Sequence, residues 1–489
     1  MSTKRKILIW ILAIFAIIAL ALFWLSRGDV ADLSMDEVSG KDPVLQEAAA
    51  ESVPTVNIAE PVGWKEGEKP DAAKGLEVAR FAEGLDHPRT MLALPNGDVL
   101  VALTRAPASG DGGGIAGWVA DWLMSRAGAT GKSPNEIVLL RDSTGDGVAD
   151  QRFVLTDSLE SPSGMAYKDG TLFVANHNAV LAFPYQQGET KITGEARKLM
   201  DIPGGGGHWM RNLLLSKDGT KLYVAVGSDT NIADKGIEAE KGRAAIWEYN
   251  LETDKPRIFG AGLRNPNGLD WSPWTNELWT VVNERDMLGS DLVPDYLTNV
   301  PLGVNYGWPW FYYGDVVDTR VDAPMPQSLV GYTRKPEYAL GPHVAALGFR
   351  FTASGHRMGS NFGQGVFIAR HGSWNRKPAS GYDVVFVAFD KLGNPVGKPM
   401  PVLTNFLTGD GTTHGRPTWV EWAKDGALLV SDDTAGIIWR VIDPKAAPAT
   451  AIAKVVSDRL PPQRELRGDP RAAFTEEFAR KVAMPMPVN

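Results

Sequence analysis

His208 is one of seven histidines in the chain and follows four consecutive glycines, Gly204 to Gly207, in "DIPGGGGHWMRNLLL" (residues 201 to 215). A neutral imidazole suits general-base work near pH 7, and residues without a Cβ let a substrate or flat cofactor approach the main chain closely. The alternative reading of the same glycines is a flexible surface loop. The hairpin that follows ends in "LYVAVGSDT", so Asp229 leaves the second strand at the end where His208 enters the first. A carboxylate there would fix the tautomer of the imidazole and stabilise its protonated form, unless it serves only as an N-cap or turn residue.

Other loops carry cations. "GAGLRNPNGLDW" (260 to 271) offers Arg264 and Asn265, and a forked guanidinium suits a carboxylate or a carbonyl that gains negative charge. "IARHGSWNRKP" (368 to 378) and "GTTHGRPTWVEW" (411 to 422) place Arg370, His371, His414 and Arg416 at or just outside predicted strand ends. As solvated loop residues they would mean little; gathered at one end of an acidic protein, they point to an anionic ligand. "NERDMLGSD" (283 to 291) and "NYGWPWFYYG" (305 to 314) mix carboxylates with loop carbonyls of the kind calcium takes, without the spacing of an EF-hand. "RDSTGDGVAD" (141 to 150) reads either as an incomplete calcium loop or as an Asx-turn hairpin.

The elements that must position these residues are hairpins. "TMLALPNGDVLVAL" (90 to 103), "SGMAYKDGTLFVAN" (163 to 176), "LLLSKDGTKLYVAV" (213 to 226) and "WVEWAKDGALLVSDD" (419 to 433) each set an Asn-Gly or Asp-Gly turn between apolar strands. "GLDWSPWTNELWTVVNE" (268 to 284) and the pair "QGVFIARHGS" with "YDVVFVAFD" complete about six units. Their spacing predicts an all-β, six-bladed β-propeller over residues 76 to 445, in which loops far apart in sequence converge on one channel. Ile115, Trp118, Val119, Trp122 and Leu123 recur at helical spacing within 110 to 135, as a helix packed on the propeller or an apolar flap, and residues 472 to 484 of the C-terminal extension (446 to 489) also read as a helix.

Composition bounds the function. A net charge of -8 makes nucleic acid an unexpected partner, and the absence of cysteine removes disulfides, thiolate metal sites and c-type haem attachment, so any electron must travel on another carrier. After Lys4, Arg5 and Lys6, residues 7 to 25 contain no charge, which predicts a transmembrane anchor within residues 1 to 27, with a cleaved signal peptide as the alternative. The remainder would then face the periplasm or exterior from the cytoplasmic (inner) membrane. Residues 28 to 75, rich in Glu, Asp, Ala, Lys and Pro, read as a linker with little fixed structure.

The motifs "GGGGHWMRN", "VGSD", "GLRNPNGL", "NERD", "NYGWPW", "RHGSWNR" and "HGRP", in this order over residues 76 to 443, resemble the glucose/sorbosone dehydrogenase family, propeller enzymes that use pyrroloquinoline quinone (PQQ), and most of all its membrane-associated sorbosone dehydrogenase branch. The resemblance implies that His208 takes the proton of a sugar hydroxyl while hydride passes to the quinone, with Asp229 in support. It implies that Arg264 and Asn265 contact the quinone oxygens and that Arg416 holds a PQQ carboxylate, with Arg370, His371 and His414 at further cofactor positions. The cofactor calcium would rest on the main chain at Asp286 and Met287. Substrate would be a sugar or sugar aldehyde, and a separate acceptor, a quinone or cytochrome, would remove the electrons. A calcium-dependent propeller lactonase and a non-catalytic binding propeller are the rival readings.

Overall fold

The computed structural model describes residues 27–107, 125–128, 131–450 and 454–455, together with single residues within 3–14 and at 122. Alternating strands of the predicted hairpins fold into six antiparallel sheets arranged around one axis. Their innermost strands are Pro88–Ala93, Gly164–Lys168, Leu213–Leu215, Asn265–Trp271, Ala346–Phe351 and Pro417–Trp422, and each packs on the next around the ring. In the second blade the Asp-Gly turn is a two-residue one: Asp169 and Gly170 both have positive φ, 46° and 80°, the pairing that lets such a turn follow the twist of its strands. Core side chains fill the spaces between sheets, among them Trp279, Trp439 and Phe349, all buried.

The ring is closed by a strand from its own N-terminal side. Glu77–Ala82 forms the outer edge of the last blade, pairing with Ile437–Ile442. First and last parts of the propeller therefore share one sheet, and the blade strands run from Glu77 to Ile442.

Residues 28 to 75 are an ordered strap, not a loose linker. Ser39–Gly40 adds to the edge of the fourth blade, Asp71–Ala72 to the edge of the fifth, and Glu60–Pro61 pairs in parallel with Thr412–Thr413. The strap is held by main-chain bonds to loops and edges, with Val38 and Ala59 buried, so it needs no periodic apolar pattern of its own. Among the described residues no helix is long and apolar enough to cross a membrane; residues 15–26, most of the expected anchor, lie outside them. The helix expected within 110 to 135 falls largely, and that at 472 to 484 wholly, outside the described residues.

Candidate active site

Each blade starts its inner strand and ends its second strand at the same face, so the loops there face one another across the channel mouth. His208 enters the third blade. Its Nδ1 lies 2.9 Å from the carbonyl oxygen of Ser228 and 3.0 Å from Ser228 Oγ. A carbonyl only accepts, so Nδ1 carries the hydrogen and Nε2 keeps its lone pair. Burial, then the charge of Arg264, push the imidazole down to about 3, which leaves it neutral at working pH.

Asp229 does not support the imidazole as expected. Its carboxylate lies 3.2 Å from Lys235 Nζ, while its carbonyl accepts the amide of Gly207 at 3.0 Å. The glycines are required for that approach: Gly206 has φ 82°, and a Cβ there would meet Asp229 Oδ1 at 2.3 Å. The loop is fastened from beneath by Arg211, which is buried and donates to the carbonyls of Pro203, His208 and Met210. Burial, then Arg243, lower the Arg211 guanidinium to about 9.

Arg264 enters the fourth blade beside His208. Its five N–H groups meet five acceptors: the carbonyls of Asn231, Asn283 and Glu284, Asn231 Oδ1, and Asp286 Oδ2 at 2.9 Å. Arg264 is thus saturated within the protein and acts as a fixed charge, so the expected bond to a quinone oxygen would require exchange of a present partner. Asn265 stands next to His208 because Gly227 lies between them; a Cβ at Gly227 would meet Asn265 Oδ1 at 2.5 Å and His208 Cβ at 2.6 Å. Burial works against the Asp286 carboxylate, but Arg264 and then His343 hold it below the usual carboxylate range.

The calcium expected on Asp286 and Met287 does not fit. Both carbonyls accept from Nη1 of Arg320, at 3.0 and 2.9 Å, and the Asp286 carboxylate is taken by Arg264. Among the described residues no three His, Cys, Asp or Glu side chains are grouped to hold a metal ion.

On the other side of the mouth a cluster forms around Asp433, at the end of a strand in the sixth blade. His371 Nε2 lies 2.9 Å from Asp433 Oδ2, His87 Nε2 lies 3.5 Å away, and Arg89 pairs with the same oxygen. Burial alone would raise Asp433, but His371, His87 and Arg89 hold it well below the usual range, while burial lowers His371 to about 3 and His87 to about 4. Arg89 also donates to Met210 Sδ at 2.9 Å, so this first-blade residue reaches the loop of His208. Arg416 donates to the carbonyls of His371 and Gly372 and lies 5.2 Å from the Tyr382 ring centre.

Two expected cofactor residues are spent elsewhere. Arg370 is paired across the strands with Asp383 and donates to the carbonyl of Leu340. His414 stacks on Trp64 of the strap, ring centres 4.6 Å apart, and its Nδ1 lies 3.0 Å from the carbonyl of Gly63. Sequence reasoning missed His87, Arg89, Ser228, Arg320 and Asp433. Asp433 closes a quoted hairpin, and its position matches that of Asp229; that shared position was the available signal.

A family model described as TrAA12-like matches residues 136–299 and 322–444. The chain is 27% identical over 303 residues to a pyrroloquinoline quinone-dependent pyranose dehydrogenase of Coprinopsis cinerea, covering 49% of this chain and 41% of that protein, so it spans less than half the length of this relative. The calcium structure of the Trichoderma reesei carbohydrate-active enzyme of family AA12 has a TM-score of 0.61 at 21% identity, covering 76% of this chain and 97% of that one. The holo form of the pyranose dehydrogenase PQQ domain from Coprinopsis cinerea has a TM-score of 0.59 at 19% identity, covering 79% and 100%. These structural likenesses show a common fold, and the family match takes in more than half of the sequence: the chain belongs to the TrAA12-like family.

Proposed function

We propose that the chain is a PQQ-dependent dehydrogenase that oxidises a reducing sugar or sugar aldehyde, with His208 as the base. The observation that carries this reading is the imidazole with a hydrogen fixed on Nδ1 by Ser228 and a lone pair left on Nε2, set in a mouth lined by cations from several blades. Family membership and the similarity to a pyranose dehydrogenase favour it over the hydrolase and binding-propeller readings.

The mouth suits a flat cofactor with several carboxylates. Arg416 gives Nε and Nη2 to main-chain carbonyls, which orients its guanidinium and leaves Nη1 for an anion, and Arg89 has a buried Nε with no hydrogen-bond partner beside the face of Trp209, 5.7 Å from the ring centre. Arg89 and Arg416 would hold the carboxylates, and Asn265 would reach the quinone side; His371, neutral and with its one hydrogen given to Asp433, shapes the mouth without donating to an anion. When bound, PQQ supplies a two-electron acceptor for hydride. His208 Nε2 takes the hydroxyl proton of the sugar while Nδ1 keeps its bond to Ser228. The neutral form is always at hand in this setting; its weak hold on a proton strengthens when an anionic ligand offsets Arg264.

Titration of purified protein with PQQ, followed by dye reduction with a panel of aldopyranoses and sorbosone, tests the reading and separates the sorbosone-type substrate from the wider class. His208→Ala is expected to retain PQQ binding and to lower kcat by about two to four orders of magnitude. An active alanine variant, or a wild type that binds no PQQ, would refute the proposal.

The anchor belongs to the same reading. Residues 7 to 25 are free of charge behind three basic residues, and Ile9, Trp10 and Leu12, all in helical conformation, expose their side chains. We place the catalytic domain outside the cytoplasmic membrane, passing electrons to a separate quinone or cytochrome; fractionation that leaves the full chain in the soluble pool would overturn the anchor.

A further inference from the structure

We propose that Arg320 is the resident cation of the Asp286–Met287 loop, and that this chain therefore loads its cofactor without calcium. The inference rests on the PQQ reading above only for the word cofactor; the site itself is defined by the protein. Nη1 of Arg320 donates to the two consecutive carbonyls of Asp286 and Met287, at 3.0 and 2.9 Å. Met287, with φ 68°, bends the chain where these carbonyls converge on one donor.

The guanidinium is locked from behind. Its Nε and Nη2 form a two-pronged pair with Asp318, at 3.0 and 2.8 Å, and Asp318 is itself held at 3.3 Å by the fully buried Arg285. Burial works against the Asp318 charge, but Arg320 and then Arg285 keep its carboxyl below the ordinary range. A carboxylate gripped by two guanidinium groups has little to offer a metal. Calcium takes about six to eight oxygens, whereas here the carbonyls, the Asp318 carboxylate and the Asp286 carboxylate all have cationic partners already. A divalent ion would have to displace Arg320 and then sit beside Arg264, which is bonded to the same Asp286.

Asp318 and Arg320 lie between the two segments matched by the family model, which end at 299 and resume at 322. This stretch leaves the fourth blade between its strands Pro294–Asn299 and Tyr338–Pro342 and carries its own apolar cluster around Trp310 and Phe311. Trp308 from the same excursion donates to the carbonyl of Asn231, the residue that also receives Arg264. An excursion outside the matched segments thus delivers a permanent charge to the loop on which a metal was expected.

The test compares the full-length wild type with Arg320→Gln and Arg320→Lys, with and without PQQ, in millimolar calcium or EGTA. Thermal unfolding of the PQQ-free protein is the first readout and fluorescence quenching by PQQ the second. Wild type and Arg320→Lys are expected to show the same Tm and the same PQQ affinity in calcium and EGTA. Arg320→Gln is expected to bind PQQ about tenfold more weakly in EGTA and to gain Tm on addition of calcium, as the vacated carbonyls accept the ion. A wild type whose Tm and PQQ affinity both fall in EGTA would overturn the proposal, as would an Arg320→Gln protein that matches wild type in EGTA. If no protein binds PQQ, the functional reading fails, while the calcium dependence of Tm still decides the role of Arg320.

Discussion

At the scale of the residue, the site depends on a few buried charges, and Arg264 is the one whose partners are complete. Arg264 fills all five of its donor positions and pairs with Asp286 while lowering the proton affinity of His208. Replacing it by glutamine leaves Asp286 and the surrounding carbonyls short of a cation and is expected to cost about 3–5 kcal/mol of stability, measured by urea unfolding, because a broken buried pair strands its other member. The neutral histidines make a second prediction. An unfolded histidine takes its proton near pH 6.5, whereas His371 in the folded protein resists protonation down to about 3. The unfolded state therefore binds more protons over that interval, and stability falls as the pH drops below about 6.5. His371→Asn should lessen the loss between about pH 6 and 4 by up to about 1.4 kcal/mol per pH unit; an unchanged slope would show that the imidazole is not held neutral. Asp432, raised to about 6 by burial, has the opposite slope and is present in both proteins, so it drops out of the difference.

At the scale of the element, the glycine-rich loop is a shaped segment. Gly206 passes against Asp229 in a left-handed conformation, Gly207 bonds to the Asp229 carbonyl, and Arg211 holds the carbonyls of Pro203 and His208 together. Gly206→Ala is expected to cost about 1–2 kcal/mol for the backbone conformation, before the clash with Asp229. Its kcat should fall more than its PQQ affinity, since Arg89 and Arg416, the groups we propose for the PQQ carboxylates, enter from other blades; equal kcat in the variant would show that the loop does not position His208. The strap teaches the converse about sequence. Its contacts are main-chain bonds, short edge pairings and isolated side-chain anchors such as Trp64 on His414, none of which imposes a period on side chains, so a reading based on periodicity assigns it no structure.

At the scale of the whole molecule, closure through Glu77–Ala82 makes the propeller one cooperative ring. A chain beginning at residue 28 should fold and keep its PQQ affinity, whereas one beginning at residue 84 should fail to fold, because the last blade loses its outer strand; circular dichroism and thermal unfolding would distinguish them. The sequence alone determined the blades, since alternation and Asn-Gly or Asp-Gly turns are local, and it singled out His208, Arg264, Asn265, His371 and Arg416 as mouth residues because each stands at a strand end. Partnership was decided only in three dimensions. That Ser228 rather than Asp229 receives the imidazole, that Arg370 and His414 are spent on Asp383 and the strap, and that Arg320 takes the carbonyls expected to bind calcium follow from which charges meet when distant loops share one low-dielectric mouth. Such pairings are set by distance and burial, and neither is written in the order of residues along a single strand.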